Sequence, residues 1–171
     1  MSIHLIVDGY NLIRQSPELR RFEAQDLESG RQALLTLMAA YRRSRPRHQV
    51  TVVFDGWQAG GFQESRDQHL GVAVIYSRRG ERADEVIKRL LRREGTRAVV
   101  VSSDRELQEW AVRVGAAWVS AQEFTGDHLL AAPGEEDTEE PPGPARGPAK
   151  KGPAHRLAKK ERQRQQRLRK L

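Results

Sequence analysis

Four short runs of apolar, largely β-branched residues recur along the chain: IHLIVD at 3–8, QVTVVFD at 49–55, GVAVIYS at 71–77 and RAVVVSS at 97–103. A fifth, GAAWVS at 115–120, is weaker. Runs this short and this rich in valine and isoleucine fit buried strands better than helices. Between them lie patterns of helical period. Leu34, Leu37, Met38 and Tyr41 share one helix face, and Leu107, Trp110, Ala111 and Val114 share another. Ala83, Val86, Ile87, Leu90 and Leu91 keep the i, i+3, i+4, i+7, i+8 spacing. Ser103–Asp104–Arg105–Glu106 reads as a capping box opening the last of these helices. Strands that are apolar throughout, alternating with amphipathic helices, predict an α/β fold: a three-layer domain around a central parallel sheet. The expected strand order is 3-2-1-4-5.

Charge divides the chain. Residues 1–132 hold 19 basic and 17 acidic side chains, so they are nearly neutral. Residues 133–140 (PGEEDTEE) hold five acids and no base, whereas 141–171 hold eleven bases and one acid. Six of the eight prolines also fall beyond residue 132, and mean hydropathy is low at −0.72. A stretch so poor in apolar groups has nothing to bury, which predicts a disordered acidic, then Pro/Gly-rich linker over 133–152. A basic tail follows over 153–171, and 1–132 forms the folded domain. The tail has no apolar stripe for a membrane or a protein groove. Lys150, Lys151, Lys159, Lys160, Arg162 and Arg164 make this end of the chain a candidate arm for RNA, gathering the polyanion by counterion release. Without cysteine the chain has no disulfide, no thiolate zinc site and no thiol nucleophile. No run approaches the ~18 apolar residues of a membrane span, and MSIHLIVDGYN does not read as a signal peptide. A cytoplasmic protein with no membrane partner is expected; the oligomeric state is left open.

Open parallel sheets bind ligands at the carboxyl ends of their strands, near the point where strand order reverses. The acids of this chain stand there. Asp8 follows Ile6–Val7, Asp55 follows Val53–Phe54, and Asp104 follows Val101–Ser102–Ser103. Asp84 lies in the first turn of the helix after the third strand, and Asn11 lies one turn past Asp8. Singly, each acid has a structural explanation: a turn residue, a helix cap, a partner for the helix dipole. Together they would repel unless a cation compensates. Mg²⁺ prefers oxygen ligands, keeps several waters, and can activate water against a phosphate. Arg78, Arg79 and Arg82 stand close enough in sequence to hold a polyanion beside such a site. The chemistry implied is phosphodiester hydrolysis. Other α/β chemistries fit less well: the chain has no G-x-x-x-x-G-K-[ST], no G-x-S-x-G, and VDGYNL rather than G-x-G-x-x-G after the first strand. The segment GWQAGGFQESRDQH at 56–69 reads as a glycine-rich loop on which Trp57 and Arg66 could stack and hold single-stranded bases.

VDGYNLI at 7–13, VVFDG at 52–56, RADEVIKRL at 82–90 and VVVSSDREL at 99–107 resemble, in order, the motifs of the YacP-like branch of NYN domains, within the PIN-like nuclease superfamily. The resemblance covers about residues 3–130. It implies a PIN-like fold, dependence on Mg²⁺ or Mn²⁺, endoribonuclease activity and association with ribosomes and their mRNA. By motif position it gives Asp8, Asn11, Asp84 and Asp104 the catalytic roles. It also implies that Asp8, Asp84 and Asp104 are the metal ligands, with Asp55 in support. Arg82 stands where the family pattern has a small or hydroxyl residue. The resemblance does not account for the basic tail.

Overall fold

The computed structural model describes residues 2–56 and 62–129. Trp57, the linker at 133–152 and the tail at 153–171, with the six candidate lysines and arginines, lie outside the described residues. The chain begins with β1 (His4–Asp8), passes through α1 (Gly9–Gln15), α2 (Pro17–Glu23) and α3 (Leu27–Ser44), and returns as β2 (Gln49–Phe54). β3 (Ser65–His69) and β4 (Val72–Tyr76) follow, then α4 (Ala83–Glu94), β5 (Ala98–Val101), α5 (Arg105–Arg113), β6 (Ala117–Val119) and the short α6 (Ala121–Glu123). A π-helical stretch, Phe124–Leu129, ends the described part.

The sheet has six strands in the order β3-β4-β2-β1-β5-β6. Five of them, β4-β2-β1-β5-β6, are parallel and follow the expected 3-2-1-4-5 order. Side chains alternate between the two faces, as the pleat requires. Leu5, Val7, Val52, Phe54 and Val101 pack with α1, α2 and α3 on one face. Ile6, Val53, Ile75 and Val100 pack with α4 and α5 on the other. The apolar stripes read from the sequence are the buried faces of α3, α4 and α5. Apolar layers thus clamp the sheet on both sides, and its carboxyl edge is left to the loops.

The sixth strand corrects the reading of 56–69 as one loop. Ser65–His69 pairs antiparallel with β4 and forms the sheet edge. Leu70 and Gly71, both at positive φ (47° and 84°), make the two-residue connection, the geometry of a type I′ hairpin turn. The strand is SRDQH, with four of its five residues exposed. A polar edge of this kind discourages pairing with other chains. It also has no apolar alternation by which a strand could be recognised.

His4 and His48 are buried away from the carboxyl edge. His4 bonds Thr51 Oγ1 through Nε2 at 2.7 Å, and His48 meets the Tyr41 hydroxyl. Burial lowers the pKa of both.

Candidate active site

Strand order reverses at β1: the chain builds to β2 and β4 on one side, then crosses to β5 and β6 on the other. The crevice between the carboxyl ends of β1 and β5 is therefore the expected ligand site. A pocket of about 440 Å³ opens there, lined by Asp8, Asn11, Asp55, Asp84 and Asp104, and by Tyr10, Arg14, Gln15, Leu27, Arg82 and Ala83. Every acid picked out from the sequence reaches this one pocket, although they come from four separate stretches of chain.

Local structure explains how each is held. Asp8 is the last residue of β1 and the residue before α1. The turn is tight because Gly9 follows: a Cβ there would lie 2.4 Å from the Phe54 ring, which is fully buried. Glycine is thus required for close approach, and it lets Tyr10 and Asn11 emerge within one turn of Asp8. Asp8 is 9% exposed, and its carboxylate accepts from Ser102 Oγ at 3.2 Å. Burial first, then the charge of Asp84, push its pKa up to about 6 from an ordinary 3.8. Asp104 adds to the push, while the bonds from the Ser102 hydroxyl and the Asn11 backbone oppose it. Asp84, in the first turn of α4, is also raised. Burial is again the main cause, opposed by the Arg82 guanidinium at 2.6 Å and reinforced by Asp104.

The capping-box reading of Ser103–Glu106 is corrected. Asp104 itself caps α5, its Oδ1 accepting from the backbone of Glu106 at 2.7 Å and of Leu107 at 3.3 Å. Ser103 is occupied elsewhere: its backbone N–H donates to Asn11 Oδ1 at 2.9 Å and its hydroxyl to Gln122. Capping and site duty coincide at Asp104, since the cap fixes the carboxylate on the pocket rim. Among the described residues a capping box is formed further on, where Ser120 and Glu123 open α6.

Asn11 is fixed by the same contact. With Oδ1 accepting from Ser103, its amide offers the pocket two N–H donors. Ser102 is not singled out by sequence reasoning, yet it ties the site together. It is fully buried, donates to Asp8, accepts from the Asp104 backbone at 3.1 Å, and its carbonyl accepts from Gln108. The signal lay in the SSD of VVVSSDREL. Tyr10, Arg14, Gln15 and Leu27 are further lining residues that sequence reasoning missed; the i, i+4 pair Tyr10 and Arg14 was the available clue.

Of the basic candidates, Arg82 lines the pocket. Arg78 borders a separate cavity with Phe62, Gln63, Glu64, Glu81 and Arg89, and pairs with Glu81 at 3.5 Å. Arg66 sits on the edge strand β3 and bonds Glu64 at 3.0 Å. Arg79 is exposed in the turn before α4.

Among the described residues, no three His, Asp or Glu side chains form a ready-made metal cage. The donor set nonetheless suits a hard cation. Asp8 and Asp84 are both raised by burial and by neighbouring carboxylates, a penalty a divalent ion would remove. Oxygen donors spread around an open pocket match an ion that retains part of its water shell.

The family described as YacP-like NYN domain matches residues 5–170, so the match runs through the basic tail that the motif resemblance had left outside. YacP of Bacillus subtilis strain 168, itself described as an uncharacterized protein, is 37% identical over 124 residues, covering 70% of this chain and 71% of that one. Two crystal structures of YacP from Bacillus subtilis, one of a mutant, superpose with TM-scores of 0.59 and 0.60. The mutant is 32% identical and covers 72% of both chains. The other is 36% identical and covers 73% of this chain and 72% of that one.

Proposed function

This chain belongs to the YacP-like NYN domain family of PIN-like nucleases, and from that premise we propose that it is a Mg²⁺- or Mn²⁺-dependent endoribonuclease. One observation carries the reading. Carboxylates from the end of β1, the first turn of α4 and the cap of α5 line a single pocket at the strand-order reversal, and two of them, Asp8 and Asp84, are raised by burial and by neighbouring carboxylates. Asp8, Asp84 and Asp104 would hold the ion, with Asp55 in support. A bound divalent ion supplies a polarised phosphate and a water of lowered pKa.

The remaining steps belong to side chains of this protein. The Asn11 amide donates to a phosphate oxygen or to the attacking water. Arg82 and Arg14 offset the acidic floor and hold the flanking phosphates. No side chain of the pocket serves as nucleophile. Ser102 Oγ, the hydroxyl bonded to Asp8, is fully buried and already both donates and accepts. In this reading water is the attacking group, and hydrolysis proceeds without a covalent enzyme intermediate. Ribosome-associated mRNA in the cytoplasm is the substrate pool that the family resemblance implies. No helix among the described residues is long and apolar enough to cross a membrane.

The test is cleavage of end-labelled single-stranded RNA and of matched DNA with Mn²⁺, Mg²⁺ or chelator, comparing wild type with Asp8→Asn. Internal cuts in RNA that need metal and Asp8 support the reading. RNA binding without cleavage would make the protein an adaptor, and cutting of DNA in preference to RNA would make it a DNA-directed nuclease.

A further inference from the structure

Tyr10 is built unlike Tyr41, a residue of α3 itself. Tyr41 is 4% exposed, with its ring against Phe124 and its hydroxyl meeting His48. Tyr10 packs only partly against the core and lines the pocket that holds Asp8. Two contacts fix its ring plane. It meets Phe54 in an edge arrangement with centroids 5.2 Å apart, and its hydroxyl accepts from Arg31 Nη1 at 3.0 Å. Arg31 is itself anchored by Glu28 and lies over the Tyr76 ring. Phe54 in turn stacks on Tyr76. A half-buried aromatic is thus held rigid from behind.

What covers the ring is easily displaced. The Arg14 guanidinium lies 5.5 Å from the Tyr10 centroid, and its side chain is 65% exposed. Its ion pair with Glu23 is a long 3.6 Å, the kind of surface contact that contributes little. Arg14 also lines the pocket, and Leu27 adds an apolar side chain to its lining. A rigid aromatic two residues along the chain from a candidate metal ligand, with an exposed guanidinium and an apolar side chain lining the same pocket, matches the needs of a nucleotide: a flat surface for the base and a cation for its phosphate.

We infer that Tyr10 and Arg14 form a nucleobase-stacking subsite for the nucleotide flanking the scissile phosphate. Arg14 moves off the ring to the phosphate as the base takes its place. The inference rests on the proposed nuclease reading, because it assumes that the pocket receives a polynucleotide. A base paired within a helix cannot reach this wall, so the flanking nucleotide must be unpaired or unstacked. The subsite reads a π-face, not a hydrogen-bond pattern, so it tolerates any base and rejects the lack of one.

The experiment walks one abasic nucleotide along a short single-stranded RNA. Affinity is read by fluorescence anisotropy with chelator at raised salt, and kcat/KM by cleavage with Mn²⁺. The full-length proteins compared are wild type, Tyr10→Phe and Tyr10→Leu, the last keeping apolar volume but losing the flat ring. One position should weaken wild-type binding by about 10-fold, the scale of removing a base–aromatic stack. Tyr10→Leu should show a similar weakening with intact RNA and no further weakening at that position. Tyr10→Phe should keep the wild-type pattern. The inference is overturned if no abasic position affects wild type, a result that needs no variant to fold. It is equally overturned if Tyr10→Leu retains the full abasic penalty. Coupling between Tyr10 and one base without any cleavage would keep the subsite and sink the nuclease reading; cleavage without coupling would do the reverse.

Discussion

Replacing Asp8 by asparagine should stabilise the metal-free protein, by an amount set by pH. Asp8 is 9% exposed, and its carboxyl pKa stands at about 6 in the fold against an ordinary 3.8. A group whose folded pKa is raised binds its proton more tightly in the native state. Its contribution is therefore intact below about pH 4 and is lost as pH rises through 6. A rise of about two units at 1.36 kcal/mol per unit amounts to roughly 3 kcal/mol lost by neutral pH. Asparagine has nearly the same shape, can still accept from Ser102 Oγ, and carries no charge to desolvate. Reorienting its amide against the Asn11 backbone N–H offsets part of the gain, on the scale of one hydrogen bond at about 1 kcal/mol. The net expectation is about 2–3 kcal/mol of extra stability at pH 8 and almost none at pH 4. For a domain of this size that corresponds to roughly 5–15 °C in Tm at pH 8. Urea titrations of both proteins at the two pH values, with chelator present, measure the difference directly. A variant destabilised at pH 8 would refute the reasoning: a loss confined to pH 8 would mean that the fold needs the Asp8 charge, and an equal loss at both pH values that it needs the carboxyl's shape and hydrogen bonds.

Mn²⁺ or Mg²⁺ should raise the Tm of the wild type and leave Asp8→Asn and Asp104→Asn nearly unmoved, read by thermal scans with and without chelator; equal shifts in all three would place the ion elsewhere. Cleavage should increase from acid toward mildly alkaline pH, since Asp8 must lose a proton near pH 6 before it can ligate and the attacking water must lose one afterwards; a rate maximum below about pH 5 would contradict this. Gly9→Ala should cost about 1–3 kcal/mol and lower activity, because its Cβ would sit 2.4 Å from a Phe54 ring wedged between Tyr10 and Tyr76; a wild-type urea midpoint would show that the turn has slack. A chain ended at residue 132 should keep its fold and its cleavage of short RNA but bind long RNA with a shallower salt dependence. The log–log slope should fall by ~0.7–0.9 for each phosphate that the tail no longer neutralises; equal slopes would show that the tail takes no part.

Periodicity in the sequence determined much of this protein. Short β-branched runs can satisfy their backbone only beside one another, and the helical stripes between them must cover both faces. A parallel α/β sheet covered on both faces was therefore readable in advance, whereas its strand order came from the PIN-like resemblance and not from periodicity. Acids following Val7, Phe54 and Ser103 were equally readable, because strand ends in such a sheet share one rim. Other features had no local signal. Ser65–His69 is a strand because β4 offers it an edge and the Leu70–Gly71 turn folds it back, not because its polar residues prefer to be extended. Asp104 rather than Ser103 caps α5, since Asn11 and Gln122, distant in sequence, claim the serine first. The Tyr10 ring is aimed by Phe54 and Arg31, the latter 21 residues away, and Asp8 owes its raised pKa to burial and to Asp84 across the pocket. Backbone hydrogen bonding and apolar burial repeat with the chain, so they are legible along it; electrostatics and side-chain orientation depend on neighbours through space, and only the folded arrangement supplies those.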